Sequence, residues 1–91
     1  MNMNRHDESP LQFPCDFPVK AIGRADCALD LEVVSLVRRH APDLGEGAVS
    51  SRTSRKGNYV SVTVVVHATS RTQLDAIYRD LTACDLVIMA L

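Results

Sequence analysis

The stretch that decides the fold is 59-YVSVTVVVHA-68. Val60, Val62, Val64, Val66 and Ala68 fall on one side of it; Tyr59, Ser61, Thr63, Val65 and His67 fall on the other. This alternation, carried by β-branched residues that suit a pleated surface, predicts a strand buried on one face. The even-numbered valines are expected to meet helices, and the odd-numbered face is expected to stay open.

The flanking residues supply the partners. Before the valine strand, Ser54-Arg55-Lys56-Gly57-Asn58 reads as a turn, because Gly57 and Asn58 tolerate positive φ. Val49–Thr53 ahead of it is a weak strand. After the valine strand, Ser70 followed by Gln73 fits a capping box. Leu74, Ile77, Tyr78 and Leu81 then recur at i, i+3, i+4 and i+7, the stripe of an amphipathic helix. Asp85 ends that helix, and Leu86–Leu91 is a short strand with no polar side chain.

Further toward the N-terminus, residues 26–40 read as another helix. Asp26 is the expected N-cap, Leu29, Val33, Leu36 and Val37 form the buried stripe, and Arg38, Arg39 and His40 complement the carbonyl end. Ala41-Pro42 stops it, since proline disfavours helical geometry in the residue before it, and Asp43–Gly47 is loop. Phe17–Gly23 alternates as a strand, with Phe17, Val19 and Ala21 on one face and Lys20 and Ile22 on the other. Pro18 has no N–H for a ladder and belongs at that strand's start; Gly23 is the expected exit turn. Residues 1–12 are polar and aperiodic and read as a disordered N-terminal tail, leaving 13–91 as one domain.

The resulting order is β-α-β-β-α-β. With right-handed crossovers it predicts an α+β, two-layer ferredoxin-like sandwich: an antiparallel four-stranded sheet, order 4-1-3-2, with both helices on one face.

Composition narrows the function classes. Ninety-one residues make one small domain, able to bury roughly 60–65% of its unfolded surface, which disfavours a deep cofactor pocket. Hydrophobic residues at 46% and charged residues at 23% are those of an ordinary globular chain. Ten Lys+Arg against eleven Asp+Glu disfavour a protein devoted to a phosphate backbone. No apolar run approaches a membrane span, and MNMNRHDESP lacks the apolar stretch of a signal peptide. Three cysteines, Cys15, Cys27 and Cys84, at wide spacing with no C-x-x-C, point to a reducing cytoplasm rather than to disulfides or a zinc site.

A set of short motifs resembles the YbeD family of small bacterial proteins without assigned function. These are Phe13-Pro14 and Phe17, Lys20 and Gly23, Arg39-His40-Ala41-Pro42, Lys56-Gly57-Asn58-Tyr59 with Ser61-Val62, Ala68-Thr69, and finally Asp85, Val87, Met89 and Leu91. The resemblance covers about residues 13–91. It implies a ferredoxin-like fold similar to the ACT-type regulatory domains of amino-acid-metabolic enzymes, with no established activity and no catalytic residues to carry over. It also implies a gene neighbourhood that often includes lipoate-attachment genes.

Most of the individual candidate residues have plainer roles open to them. His40 has no sequence-near Cys, Asp or His at metal spacing, so a helix-end histidine bonding free carbonyls is favoured over a base or ligand. Cys27, just inside the first helix, lacks a visible histidine or resolving cysteine and reads as a packing residue, as does Cys84; Tyr78 reads as a core edge. Arg52, Arg55 and Lys56 with Gly57 and Asn58 form the best anion-binding turn, although cations on a hairpin also keep an edge soluble. One aromatic there is poor support for RNA, which is read by stacking several bases. No triad, Gly-rich phosphate loop or cofactor motif is present.

These readings predict a non-catalytic regulatory or adaptor module of the cytoplasm. It would bind a small metabolite or a partner protein on the open face lined by Lys20, Tyr59, Ser61, Thr63, Val65 and His67, or at an edge strand. The apolar C-terminal strand adds the expectation of a homodimer through Leu86, Ile88 and Met89, unless Phe13 and Phe17 fold over it. The alternatives are a small enzyme or lipoate/acyl-chemistry accessory using His40 or Cys27, and RNA binding at Arg52, Arg55 and Lys56. No cofactor, metal or membrane is expected.

Overall fold

Residues 11–91 are described by a computed structural model, so residues 1–10 of the expected tail lie outside the described residues. The elements run β1 (Cys15–Arg24), α1 (Leu29–Arg38), a 3-10 turn (Glu46–Ala48), β2 (Val49–Thr53), β3 (Tyr59–Ala68), α2 (Arg71–Ala83) and β4 (Val87–Ala90). The strands form one antiparallel sheet in the order β2-β3-β1-β4, which is the predicted arrangement.

The valine stretch is central because its apolar face needs neighbours on both sides. β3 pairs with β1 from Cys15 opposite Ala68 to Arg24 opposite Tyr59, and with β2 from Val49 opposite Val64 to Thr53 opposite Val60. Val62, Val64, Val66 and Ala68 are fully buried, as are Val19 and Ala21 of β1. Leu29, Val33, Leu36 and Val37 of α1 and Leu74, Ile77 and Leu81 of α2 close over them, each stripe as the spacing predicts. Full burial of one such side chain stabilises by about 1.5–3 kcal/mol, so this two-layer contact is the main source of stability.

Four local expectations are corrected. β1 is longer than Phe17–Gly23, and Pro18 lies inside it. Lys20 exchanges backbone hydrogen bonds with Leu91, N to O at 3.2 Å and O to N at 2.8 Å, so Lys20 and, two residues earlier, Pro18 turn their backbone edges toward β4. Among the described residues none pairs with Pro18 on that side, so its missing N–H costs the ladder nothing.

Gly23 is a buried strand residue rather than an exit turn. A Cβ there would meet the carbonyl oxygen of Leu86 and stand 2.8 Å from Leu29 Cδ2, so only glycine lets β4 and the start of α1 approach β1 together. The ladder between β1 and β4 slips at this point, with Ile22 opposite Met89 but Gly23 opposite Val87. Ile88 is the additional residue, and the bulge lets Val87 and Ala90 face the core while Ile88 and Met89 both point away from it.

α1 begins at Leu29, with Ala28 at the N-cap and no side-chain cap. The chain needs residues 25–28 to reverse direction after Arg24, and Asp26 instead pairs with the Arg24 guanidinium at 3.3 Å. The helix closes at Arg38 through bonds from Arg39 N to Leu36 O and His40 N to Val37 O, leaving His40 just beyond it. On α2, Ser70 Oγ accepts from Gln73 N at 3.1 Å as predicted. The returning contact differs: Gln73 Oε1 accepts from Thr69 N at 2.7 Å.

Candidate functional site on the open sheet face

With both helices on one side, the cross-strand register lays out the other side in rows. Leu91, Lys20, Thr63 and Ser50 make one row, and Met89, Ile22, Ser61 and Arg52 the next. Beyond the first row lie Pro18 with Val65, then Asp16 with His67; beyond the second lies Arg24 with Tyr59.

Two adjoining grooves occupy the middle of this face. One, of about 370 Å³, is lined by Lys20, Ser50, Ser51, Arg52, Ser61 and Thr63. The other, of about 580 Å³, is lined by Ile22, Arg52, Arg55, Tyr59 and Ser61 together with Thr53, Ser54 and Val60. Arg52 and Ser61 belong to both, and no Asp or Glu lines either. Among the described residues, the ion pairs are Arg24–Asp26, His40–Asp80 and His67–Asp16, so Lys20, Arg52 and Arg55 face the grooves without a carboxylate. Ser61 and Thr63 are half-buried.

The structure therefore divides the predicted ligand face. Lys20, Ser61 and Thr63 line the first groove and Tyr59 the second. Val65 and His67 belong to a third depression of about 390 Å³ that includes Asp16 and Asp43, where His67 Nδ1 lies 3.3 Å from Asp16 Oδ1. The predicted anion-binding turn divides as well: Arg52 and Arg55 reach the grooves, whereas Lys56, Gly57 and Asn58 do not line them. Gly57 adopts φ 80°, as the turn requires, and its N–H donates to Ser54 O at 2.9 Å. Tyr59 N–H donates to Ser54 Oγ at 3.1 Å, and Asn58 O accepts from Ala25 N at 2.9 Å.

The helix side carries the other sequence candidates. His40 Nε2 lies 2.7 Å from Asp80 Oδ2 of α2, a partner forty residues away that sequence spacing could not reveal. The hydrogen bond to His40 is the main reason the Asp80 carboxyl is held below its usual range. Cys27 Sγ donates to Arg24 O at 3.2 Å, and all three cysteines are free. Burial raises the Tyr78 phenol, whose hydroxyl donates to Leu91 O at 2.6 Å and so ties α2 to the end of β4. Phe13 and Phe17 pack on the core cluster instead of covering the C-terminal strand, where Ile88, Met89 and Leu91 stay 59%, 50% and 58% exposed. Among the described residues no group of three or more His, Cys, Asp or Glu is placed to hold a metal, and no helix is long and apolar enough to cross a membrane.

Fold and face together define a small α+β domain of ferredoxin-like topology with one covered and one bare sheet surface. The chain belongs to the family described as "Protein of unknown function (DUF493)", whose model matches residues 8–91. It is 41% identical to a UPF0250 protein of Nitrosomonas europaea over 85 residues, covering 93% of this chain and 98% of that one. A UPF0250 protein of Paraburkholderia phytofirmans is 42% identical over 89 residues, 98% of this chain and 100% of the relative. A third, from Neisseria meningitidis, is 40% identical over 91 residues, the full length of both. The YbeD resemblance fits these relationships.

Proposed function

We propose that the chain is a non-catalytic regulatory module of the cytoplasm that binds a small metabolite on its open sheet face. The observation that carries this reading is the grouping of Lys20, Arg52 and Arg55 with the hydroxyls of Ser50, Ser61 and Thr63, in grooves that no carboxylate lines. Cations on a sheet ordinarily sit opposite acids, because a cross-strand pair of unlike charges stabilises and like charges repel. Three exposed cations together repel one another only weakly through water, and a bound anion would turn that repulsion into attraction. The non-catalytic part of the reading is supported by the open face itself, whose grooves are lined by neither His40 nor any cysteine, and by Cys27, whose thiol is spent on the Arg24 carbonyl. Free thiols at Cys15, Cys27 and Cys84 support the cytoplasm.

The test is a ¹⁵N NMR titration with a protein-free small-molecule extract of the native host. Shifts concentrated at the amides of Lys20, Ser61 and Thr63 are expected. Shifts confined to the helix side, or none, would overturn the reading.

A second reading, self-association through β4, is favoured by the exposed apolar run of Leu86, Ile88, Met89 and Leu91 on an edge strand.

A further inference from the structure

Resting on the reading of the open face as a ligand site, we propose that the ligand is an organic phosphate, with its phosphate held between Lys20 and Arg52. Lys20 is on β1 and Arg52 on β2, with β3 between them. Neighbouring strands are about 4.8 Å apart, so these residues are separated by about 10 Å across the sheet and by one row, about 7 Å, along it. Both are long, flexible cations, and the surface they flank is not apolar: it is made by Ser61 and Thr63 of β3, with Ser50 beside Thr63. The two side chains can lean inward over those hydroxyls and meet a group the size of one phosphate.

The donor set selects the anion. An arginine fork can take two phosphate oxygens at once, while a lysine ammonium supplies a point charge to the third. The hydroxyls can donate from below, and none of the three is engaged by another described residue. Five donor groups around one centre exceed what a carboxylate with two oxygens can use, and match a phosphate monoester near charge −2.

The neighbouring groove indicates what the phosphate is attached to. It shares Arg52 and Ser61, so a ligand anchored between Lys20 and Arg52 extends naturally into it. Its wall combines the exposed ring of Tyr59 with Ile22, which suits a planar or apolar group, and Arg55 stands at its rim as a stacking or charge partner. A single aromatic residue serves one ring and not a row of stacked bases, which favours a small metabolite over an RNA strand.

Phenyl phosphate, inorganic phosphate and benzyl alcohol are the probes, followed by ¹⁵N NMR on the whole chain. Phenyl phosphate is expected to shift the amides of Lys20, Ser61, Thr63 and Tyr59 saturably, inorganic phosphate to do so more weakly, and benzyl alcohol to leave them in place. Lys20→Gln and Arg52→Gln should each weaken phenyl phosphate binding about tenfold or more, the loss of a charge-assisted hydrogen bond. Lys56→Gln, on the same turn as Arg55 but outside the grooves, should keep affinity within about twofold. Retained dispersion of the amide spectrum establishes that each variant is folded.

An equal loss in Lys56→Gln reduces the effect to general attraction by positive charge and overturns the proposal. A short single-stranded RNA that binds more tightly, with steep salt dependence, overturns it in favour of a nucleic-acid surface. If phenyl phosphate is silent while the host extract still shifts the open face, phosphate recognition fails and the module reading stands. Silence of both removes both.

Discussion

His40 Nε2 and Asp80 Oδ2 lie 2.7 Å apart, joining the segment that follows α1 to the last turns of α2. The side chains keep 27% and 31% of their surface, so the pair is neither buried nor fully solvated. Gln73 Nε2 also donates to the His40 carbonyl at 2.8 Å, fixing the same residue from its backbone. His40 is thus a tie between the two helices.

This tie has a pH signature. The hydrogen bond from His40 lowers the Asp80 pKa in the folded state, so Asp80 contributes stability that is complete above the ordinary carboxylate value, about pH 4, and is lost as pH falls through the lowered one. Urea midpoints measured against pH should therefore decline on the acid side, and Asp80→Asn should flatten that decline. An acid limb identical in the two proteins would show that the pair contributes nothing to folding.

Gly23 is expected to resist the smallest substitution. A methyl group there must displace the Leu86 carbonyl, which is backbone, as well as Leu29 Cδ2 at 2.8 Å. Gly23→Ala should cost about 1–3 kcal/mol in chemical denaturation. At Gly45 an added Cβ meets nothing within 4 Å, and Gly45→Ala should change stability by under about 0.5 kcal/mol. Equal effects at the two positions would refute the close-approach argument.

The start of α2 depends on two residues in different ways. Ser70→Ala removes the oxygen that accepts from Gln73 N and should cost about 0.5–2 kcal/mol. Gln73→Ala frees both the Thr69 N–H and the His40 carbonyl, and so should also speed hydrogen exchange at Thr69. A melting temperature lowered by Ser70→Ala alone, with Thr69 exchange unchanged in Gln73→Ala, would mean that the glutamine contacts are incidental.

The β4 edge makes a prediction about mass. Sedimentation equilibrium of the unmodified chain should show a dimer forming as concentration rises, and Ile88→Lys should shift the equilibrium to monomer by placing a charge at the bulge. Monomer across the whole concentration range would remove self-association through this edge.

Much of this architecture is written locally. The ten-residue alternation of β3, the spacing of Leu29, Val33, Leu36 and Val37, and the Ser70 cap are near-neighbour patterns, and each appears where its pattern places it. The departures at Gly23 and Ile88 arise from contacts between distant segments, whereas those at Asp26 and Gln73 are local choices between competing partners. Asp26 has the chemistry of a cap but lies in the reversal after Arg24; Gly23 resembles a turn glycine until β4 and α1 converge on it. The bulge at Ile88 breaks simple alternation, so two consecutive apolar residues face outward. For the open face, strand periodicity alone groups the odd-numbered residues from Tyr59 to His67 as one surface. The register with β1 and β2 separates it, setting Lys20 and Arg52 around Ser61 and Thr63 and placing His67 beside Asp16.

Pro18 also bears on how far this sheet can grow. Past Leu91, the next residue of a lengthening strand would lie opposite Val19 and the one after it opposite Pro18, continuing the antiparallel count set by the Lys20–Leu91 bonds. At Pro18 the growing strand would present a carbonyl to a ring that has no hydrogen to give. A peptide appended to Leu91 thus loses a ladder bond at its second residue, and a foreign strand lying along the same margin meets the same gap, which makes this edge a poor template for further strands.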